Sequence, residues 1–297
     1  MRRKTLLVIA AAAASLSLQA QGVAFLNINP DAASVGLAET SIARQADAYA
    51  MENNIAATTL GGTRMAFAAG FGIWQPKANK SNVLSAAGFY RISNRLALGM
   101  QFKNFSYQEY SNVSADGRVR DTFRPAELTA GLGISYRIAD GFSVGASFRF
   151  ISSTLASDAK ASAFGADIAV KYEKDGWHAG FSVCNLGTPV SYGGDKYAQP
   201  AMVRGGGAYS TGTFTASAEV DYLFQGGLMA GLGVEYTIAD IVSLRGGFHY
   251  GDAAKAIPMY ASLGLGVQFA GVHLDAAFLL ASKTLGNSLM FGLGYSF

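Results

Sequence analysis

Gly131-Leu-Gly-Ile-Ser-Tyr136 is one of four copies of the sequence Gly-Leu-Gly-x-x-aromatic in this chain, and the others begin at Gly231, Gly264 and Gly292. Successive side chains of a β-strand point to opposite faces, so each leucine shares a face with the residues two places away, and the glycines share the other. One apolar face, one small or polar face and an aromatic residue near the strand end are typical of a transmembrane β-strand. The repeat therefore predicts a membrane β-barrel.

The composition agrees with a membrane environment. Charged residues make up 14% of the chain, compared with about 25% in soluble domains. Three of the 23 basic residues, Arg2, Arg3 and Lys4, lie at the start of the chain, and the remaining 20 match the 20 acidic residues. A neutral remainder gives no indication of a nucleic-acid-binding surface.

Residues 1–20 have the features of a secretory signal peptide. A basic start precedes the apolar run Leu6–Ala14, and Ala20 is a suitable cleavage point. No run of about 18 apolar residues follows, which excludes transmembrane helices. Cys184 is the only cysteine, so neither an intrachain disulfide nor a cysteine metal site can form.

The rest of the chain divides into alternating segments of about ten to twelve residues, the length that a tilted membrane strand needs. An even number is expected for a bacterial single-chain barrel, and we count fourteen segments. They are 63–74, 82–92, 95–106, 125–138, 142–154, 163–174, 176–186, 201–211, 213–224, 228–238, 241–251, 258–269, 271–282 and 287–297.

The connections alternate in length. Those after even-numbered segments are tight, as at Ser93-Asn94 and Ala239-Asp240, whereas those after odd-numbered segments are mostly long, as at 107–124 and 187–200. Short turns belong in the periplasm and long loops outside the cell. All four repeats lie on even-numbered segments, so their aromatic residues are expected at the periplasmic membrane interface. We predict that Tyr295 and Phe297 form the C-terminal signal that the barrel assembly machinery recognises.

The charged residues within the segments must face the lumen. Exposing Arg or Lys to lipid at the midplane costs ~2–4 kcal/mol, so we place Lys103, Arg149, Lys171 and Arg245 inside. Acidic residues with the same predicted orientation are available to offset them: Asp167, Glu219, Asp221, Glu235 and Asp275.

Residues 21–62 do not alternate. They contain Pro30, a candidate helix N-cap at Asp31 and a second helical patch at Asp47–Met51. A barrel of this size needs its lumen filled by water or by chain. We therefore predict an all-β protein, a 14-stranded antiparallel transmembrane β-barrel (63–297) with an N-terminal plug (21–62) in the lumen. The alternative for 21–62 is a loose periplasmic tail.

Three stretches carry a resemblance to a known family. Gly22–Gly36, continuing to Ala48, resembles the start of the PorV/PorQ family of outer-membrane barrels, which are related in architecture to the FadL fatty-acid transporters. Phe123–Ile151 and Phe164–Tyr192 also resemble the family. The first block is the most specific. Its matching positions, together with two from Asn54-Ile55-Ala56, are called the plug motif: Phe25, Leu26, Pro30, Asp31, Gly36, Asn54 and Ala56.

The resemblance implies a FadL-like fold in the outer membrane and a role in the type IX secretion system. Its PorV-like member receives exported cargo through a C-terminal signal domain and passes it to a surface attachment machine. This chain departs from the family at Asn54-Ile55-Ala56, where Asn-Pro-Ala is usual, and it is shorter in the loops. The implied partners are outer-membrane lipid, cargo signal domains and the translocon.

No enzymatic motif is present, and no cofactor or metal is predicted. His178, His249 and His273 lie on separate strands without metal-ligand spacing, and we interpret them as structural lumen residues. Neither a Gly-x-Ser-x-Gly elbow, an HExxH helix nor a phosphate loop occurs. Gly205–Gly207 is interpreted as a kink or a plug-contact site.

The long loops are the candidate partner-binding sites. They carry the mixed aromatic and charged residues that are enriched at protein interfaces, although a plain solvated loop is the simpler interpretation. The candidates are Tyr107, Tyr110, Arg118, Arg120 and Phe123 in the first loop, and Tyr192 and Tyr197 in the second. We consider secretion through these loops first, FadL-like transport of hydrophobic molecules second, and a purely structural role third.

Overall fold

The computed structural model describes residues 22–76, 80–114, 116–156, 158–252, 256–281 and 286–297, so the predicted signal peptide lies outside the described residues. Strand alternation produces one closed barrel and two small hairpins. The barrel strands are β1 Met65–Trp74, β2 Ser81–Ser93, β3 Leu96–Ser106, β6 Ala126–Ala139, β7 Phe142–Thr154, β8 Lys160–Lys174, β9 Trp177–Gly187, β12 Met202–Ser210, β13 Phe214–Leu223, β14 Gly227–Ile238, β15 Val242–Gly251, β16 Tyr260–Phe269, β17 Val272–Ala281 and β18 Ser288–Ser296.

Fourteen antiparallel strands form the barrel, as the segment count predicts. Each strand pairs with the next barrel strand along the chain, and β1 closes the ring against β18. Within the described part of the barrel, the register shifts in three strand pairs: β2–β3, β6–β7 and β8–β9. The described wall is therefore a continuous hydrogen-bonded ladder.

The two faces of the wall also follow the prediction. Leu132 of the first repeat is 70% exposed and Leu232 of the second is 63% exposed, because both point outward to lipid. All four predicted lumen cations and their acidic counterparts lie on the inner face. Gly206 also faces inward, and β12 pairs with both neighbours without a register shift, so no β-bulge occurs at Gly205–Gly207.

Four short helices make up the N-terminal segment (22–62). They are a 3-10 helix at Ala24–Asn27, α-helices at Ala32–Gly36 and Ala50–Asn53, and a 3-10 helix at Ile55–Thr59. Asp31 is the N-cap of the first α-helix, as predicted, and accepts a hydrogen bond from the Ala33 amide at 3.0 Å. None of the helices in the described part of the chain is long and apolar enough to cross a membrane.

Two long outer loops, predicted without secondary structure, each contain a short hairpin. β4 (Tyr110–Val113) pairs with β5 (Val119–Phe123) to form the first outer hairpin, and β10 (Val190–Tyr192) pairs with β11 (Asp195–Tyr197) to form the second. Neither hairpin joins the barrel sheet. Both lie on the side of the long loops, which is the outer side.

Candidate functional site

The N-terminal segment runs through the barrel from its outer end to its periplasmic end. At the outer end, the Gly22 amide donates to the Ala198 carbonyl at 2.9 Å, next to the second outer hairpin. At the other end, Arg91 Nε donates to the Thr58 carbonyl at 3.0 Å and Arg137 Nη2 donates to the Thr59 carbonyl at 2.8 Å. The segment thus contacts the wall along the full length of the lumen.

An apolar cluster fills the outer half of the lumen. Phe25 of the N-terminal segment is 1% exposed and lies at its centre with Leu26 and Val35. Burying such side chains is the main driving force for packing the segment in place. The wall residues around them come from strands on all sides of the barrel: Trp74, Val83, Phe105, Ile151, Met202, Leu223, Met229, Tyr260, Leu279 and Met290.

Below this cluster, Asp31 is the centre of a polar network within the segment. Its Oδ2 accepts hydrogen bonds from Arg44 Nη1 at 2.8 Å and from Asn53 Nδ2 at 3.0 Å, and Ser34 Oγ donates to it at 2.5 Å. Burial alone would raise the pKa of Asp31, but Arg44 and these hydrogen bonds hold it below its ordinary value. The network ties both α-helices of the segment together.

Buried lysines of the wall bind the segment. Lys103 Nζ contacts Glu52 Oε1 at 2.6 Å and the Ile28 carbonyl at 2.9 Å. Lys171 Nζ donates to the carbonyls of Ala43 and Arg44, the latter at 2.8 Å. The strand pattern predicts both lysines in the lumen, which is correct, with wall carboxylates as their partners. The predicted partners are wrong, because the groups that Lys103 and Lys171 bind belong to the segment.

Arg204 is the third basic link between wall and segment. Its Nη2 lies 2.6 Å from Glu219 Oε1 on the neighbouring strand and 2.8 Å from Ser41 Oγ of the segment. Glu219 Oε2 in turn accepts from the Ile42 amide at 2.8 Å. Arg204 is not among the predicted lumen cations, although alternation along β12 places it on the same face as Gly206.

Glycines on the inner wall allow the segment to approach the backbone closely. A side chain at Gly180 would overlap the Ile42 carbonyl group, and one at Gly206 would come within 2.7 Å of Ile42 Cγ2. The inference of a contact site at Gly206 is therefore correct. Gly205 faces outward, and a methyl group there would have Phe181 Cδ2 as its nearest neighbour, at 3.7 Å.

The residues of the predicted partner-binding loops fall into two groups. Tyr110 and Phe123 stack with ring centroids 6.0 Å apart in the first outer hairpin, and Arg118 and Arg120 are exposed beyond them. Tyr107 instead turns toward the wall, where its hydroxyl donates to Glu127 at 3.0 Å.

Tyr192 and Tyr197 of the second outer hairpin are packed against the outer apolar cluster, with their rings 5.8 Å apart. A side chain at Gly22 would come within 2.9 Å of Tyr197 Cβ. The second outer hairpin therefore covers the end of the N-terminal segment, and the first presents its side chains to solvent.

The plug-motif residues lie at different levels of the lumen. Phe25 and Leu26 belong to the outer apolar cluster and Asp31 to the polar network. A side chain at Gly36 would come within 3.0 Å of Gly264 Cα on the wall. Pro30, Asn54 and Ala56 are buried, and Asn54 Nδ2 donates to the carbonyls of Ile42 and Val170. At the C-terminus, Tyr295 and Phe297 are 36% and 59% exposed on the outer wall.

The three histidines do not form a metal site. His178, His249 and His273 line the lumen on β9, β15 and β17, in agreement with the sequence. Across the described residues, no three His, Cys, Asp or Glu side chains are grouped so that they could hold a metal ion. Cys184 is half-buried as a free thiol.

A pH-dependent contribution to stability arises from Glu39 of the N-terminal segment. Burial raises the pKa of this carboxyl from 4.5 to about 7, against the opposing effect of Arg204. Between these values the folded protein binds more protons than the unfolded chain, so stability falls as pH rises, by roughly 1 kcal/mol per pH unit. We expect Glu39→Gln to remove this fall, leaving stability unchanged near pH 4 and increasing it at pH 8. Urea unfolding of the wild-type and Glu39→Gln proteins between pH 4 and pH 8 tests this prediction. Parallel profiles of stability against pH for the two proteins would contradict it.

Comparison with known proteins places the chain in a family. A model of the type IX secretion system protein PorV matches residues 12–220. The chain belongs to the PorV family. The match includes the N-terminal segment and both outer hairpins. Membership of the PorV family implies association with type IX secretion components and with the outer membrane. A search of curated proteins gave no match.

Solved structures share the fold. The toluene transporter TodX of Pseudomonas putida superposes with a TM-score of 0.68 at 14% identity, covering 91% of this chain and 98% of that one. The monoaromatic hydrocarbon channel CymD gives 0.65 at 14% identity, covering 91% and 97%. A FadL homologue of Pseudomonas aeruginosa gives 0.61 at 13% identity, covering 90% and 98%.

These comparisons place the PorV-family chain in the Gram-negative outer membrane. Its family is that of a type IX secretion system protein, and its fold is shared with solved outer-membrane channels and transporters. At such low identity, the solved structures support the FadL-like architecture alone.

Proposed function

We propose that this chain is an outer-membrane component of the type IX secretion system that binds secreted cargo, or hands it on, at the cell surface. The observation that carries the proposal is the PorV match over residues 12–220, which spans both outer hairpins. In this proposal residues 1–20 direct export, residues 21–62 plug the lumen, and the barrel presents the hairpins. No catalytic step is involved.

The first outer hairpin supports a role in protein contact. Val113 and Val119 are 54% and 61% exposed, and Arg118 and Arg120 are also exposed. Among the described strands the hairpin pairs with no other, so both of its outer edges present free backbone groups. Free strand edges and mixed aromatic and charged side chains both suit a protein partner.

FadL-like transport of a hydrophobic molecule is the alternative. It requires an apolar pocket between plug and wall, and a lateral gap. In the described part of the barrel the wall ladder is continuous. The lumen cavity of about 480 Å³ has charged side chains such as Arg44 and Arg245 in its lining beside apolar ones such as Leu37, so it is not the apolar pocket that transport requires. We therefore favour the secretion role.

Deletion of residues 109–122 tests the proposal. We expect the barrel to stay folded, because the first outer hairpin makes no sheet contact with it, and secreted proteins or translocon subunits to be lost from the purified complex. The measurement is mass spectrometry of proteins that co-purify with the tagged protein in mild detergent, with heat-dependent gel mobility as the test of folding.

A point-variant pair controls for the deletion. Arg118→Ala with Arg120→Ala should weaken the same association, whereas Arg95→Ala with Lys174→Ala, near the periplasmic turns, should not. Unchanged co-purification with the folded deletion variant would count against the proposal. A lone barrel that carries a hydrophobic small molecule would favour transport.

A further inference from the structure

The backbone of the first outer hairpin shows which groups its two edges present. The Ser114 amide donates to the Arg118 carbonyl at 2.9 Å, so these residues form a hydrogen-bonded pair across the hairpin. Hydrogen-bonded and non-hydrogen-bonded pairs alternate along an antiparallel ladder. The next pair, Val113 and Val119, is therefore non-hydrogen-bonded. Its N–H and C=O groups point away from the hairpin, those of Val113 along the edge of β4 and those of Val119 along the edge of β5.

The edge of β5 carries two features that oppose pairing with a further strand. Along β4 the partner changes from Asp121 to Val119 in one step, so Arg120 is an extra residue on β5. Such a bulge twists an edge strand out of regular pairing, and charged side chains on an edge strand also oppose pairing. β5 has both features, since Arg120 and Asp121 are charged and exposed. It is therefore a poor template for another strand.

The edge of β4 carries neither feature. Its residues, Tyr110–Val113, include no charged residue and no proline, and the extra residue of the bulge lies on the other strand. Ser111, Asn112 and Val113 are all exposed. Unpaired N–H and C=O groups on an exposed edge are a template for pairing with another chain, which is why proteins protect such edges. A hairpin with one protected edge and one open edge is suited to receive a strand on the open edge.

Charges at the two ends of β4 disfavour a second copy of this chain on its edge. Glu109 directly precedes β4 and is exposed, and its partner is the neutral hydroxyl of Thr122, 2.6 Å from Oε1. Asp116 lies beyond the other end, in a solvent-exposed pair with Arg118. Antiparallel pairing of two β4 strands would bring the Glu109 end of each chain toward the Asp116 end of the other, and parallel pairing would bring the two Glu109 side chains together. Like charges opposite one another are destabilising.

We propose that the edge of β4 binds an extended segment of a secreted protein, which adds to the first outer hairpin as a third strand. This inference rests on the proposed cargo role of the hairpin and names the contact by which the hairpin would hold cargo. Backbone hydrogen bonds, including those of the Val113 N–H and C=O, supply the affinity, and alternate side chains of the added strand supply the selectivity. We expect the segment to place an apolar residue opposite Val113 and to have no acidic residue beside Glu109.

Val113→Pro tests the edge, with the separate variant Val119→Pro as its matched control. Each substitution removes one outward-pointing N–H from the same residue pair, and proline is tolerated in an edge strand where the N–H faces solvent. We expect Val113→Pro to reduce the secreted proteins that co-purify with the full-length tagged barrel at least fivefold, and Val119→Pro to change them less than twofold. Val113→Thr keeps the N–H and should bind like the wild-type protein. Equal losses in the two proline variants would overturn the proposal.

Hydrogen exchange of the wild-type protein gives a second test, which does not depend on how a variant folds. The probe is the most abundant secreted protein that mass spectrometry identifies in the wild-type complex. Its binding should slow exchange of the amides in Tyr110–Val113 at least fivefold and leave those in Val119–Phe123 unchanged. Slower exchange in β5 alone would overturn the proposal. Slower exchange in β4 when the barrel alone is concentrated would also overturn it, because the occupant would then be a second copy.

The strand contact and the cargo role can fail separately. If deletion of residues 109–122 releases the secreted proteins while Val113→Pro retains them, the strand contact is wrong and the cargo role stands. If the folded deletion variant retains them, the cargo role is wrong, and the strand contact is wrong with it.

Discussion

Gly180→Val is expected to displace the N-terminal segment from the wall and to lower the free energy of unfolding by about 3 kcal/mol, the upper part of the range for overpacked interiors. The new Cβ would overlap the Ile42 carbonyl oxygen and lie 2.8 Å from its carbonyl carbon. Ile42 cannot move away freely, since its amide donates to Glu219 Oε2 and its carbonyl accepts from Asn54 Nδ2.

Two measurements detect the displacement of the N-terminal segment. Urea unfolding in detergent reports the stability, and limited proteolysis reports cleavage within residues 22–62. Gly205→Val is the matched control, because it makes the same change 25 positions along the chain, on the lipid-facing side, where the nearest atom is 3.7 Å away. Equal effects of the two substitutions would show that loss of glycine, and not the segment contact, is responsible.

Arg204→Met is expected to destabilise the barrel by about 3–5 kcal/mol, the cost of leaving buried charges without a partner. The substitution removes two hydrogen bonds to Glu219 Oε1 and the bond to Ser41. It also leaves Asp221, whose Oδ1 is 3.7 Å from Arg204 Nε, beside another carboxylate. The wall loses the cation that pairs with Glu219, and the N-terminal segment loses the bond from the same cation to Ser41.

Chemical unfolding of single and double variants tests this origin. Adding Glu219→Gln to Arg204→Met should recover part of the loss, because the amide keeps an acceptor for Ile42 and removes one charge. The control is Arg118→Met on the first outer hairpin, where the ion pair to Asp116 is 3.6 Å long and the arginine side chain is 86% exposed. Such an exposed pair contributes little to stability, because water and salt screen its charges. A similar loss at both positions would contradict the argument.

The wall of the barrel was predictable because its signal is local. Alternation with period 2 assigns each residue of a strand to a face, so Leu132 on the outside and Arg149 on the inside follow from their neighbours alone. Turn lengths then supply the order and the sidedness of the strands. The three glycines that follow Arg204, at 205–207, have no side chains, so they obscure the alternation that would place Arg204 on the inner face.

The contacts of the lumen were less predictable because they join residues that are distant in the sequence. Lys103 is 51 positions from Glu52, and Lys171 is 127 positions from Arg44. Nothing in the local pattern distinguishes a lysine that meets a wall carboxylate from one that meets a helix carbonyl. The two outer hairpins escaped prediction for a different reason: strands of three to five residues are too short to establish a period.

The path of the N-terminal segment connects the seam of the barrel to its opposite side. The segment begins beside the second outer hairpin, descends through the lumen and continues directly into β1, which pairs with β18 from Ala66–Ser296 to Ile73–Leu289. Between those ends the Ile42 amide donates to Glu219 on β13, and Lys103 on β3 binds Glu52. A force that separated β1 from β18 would therefore also pull on these contacts across the lumen, so the segment reinforces the closed ring from inside.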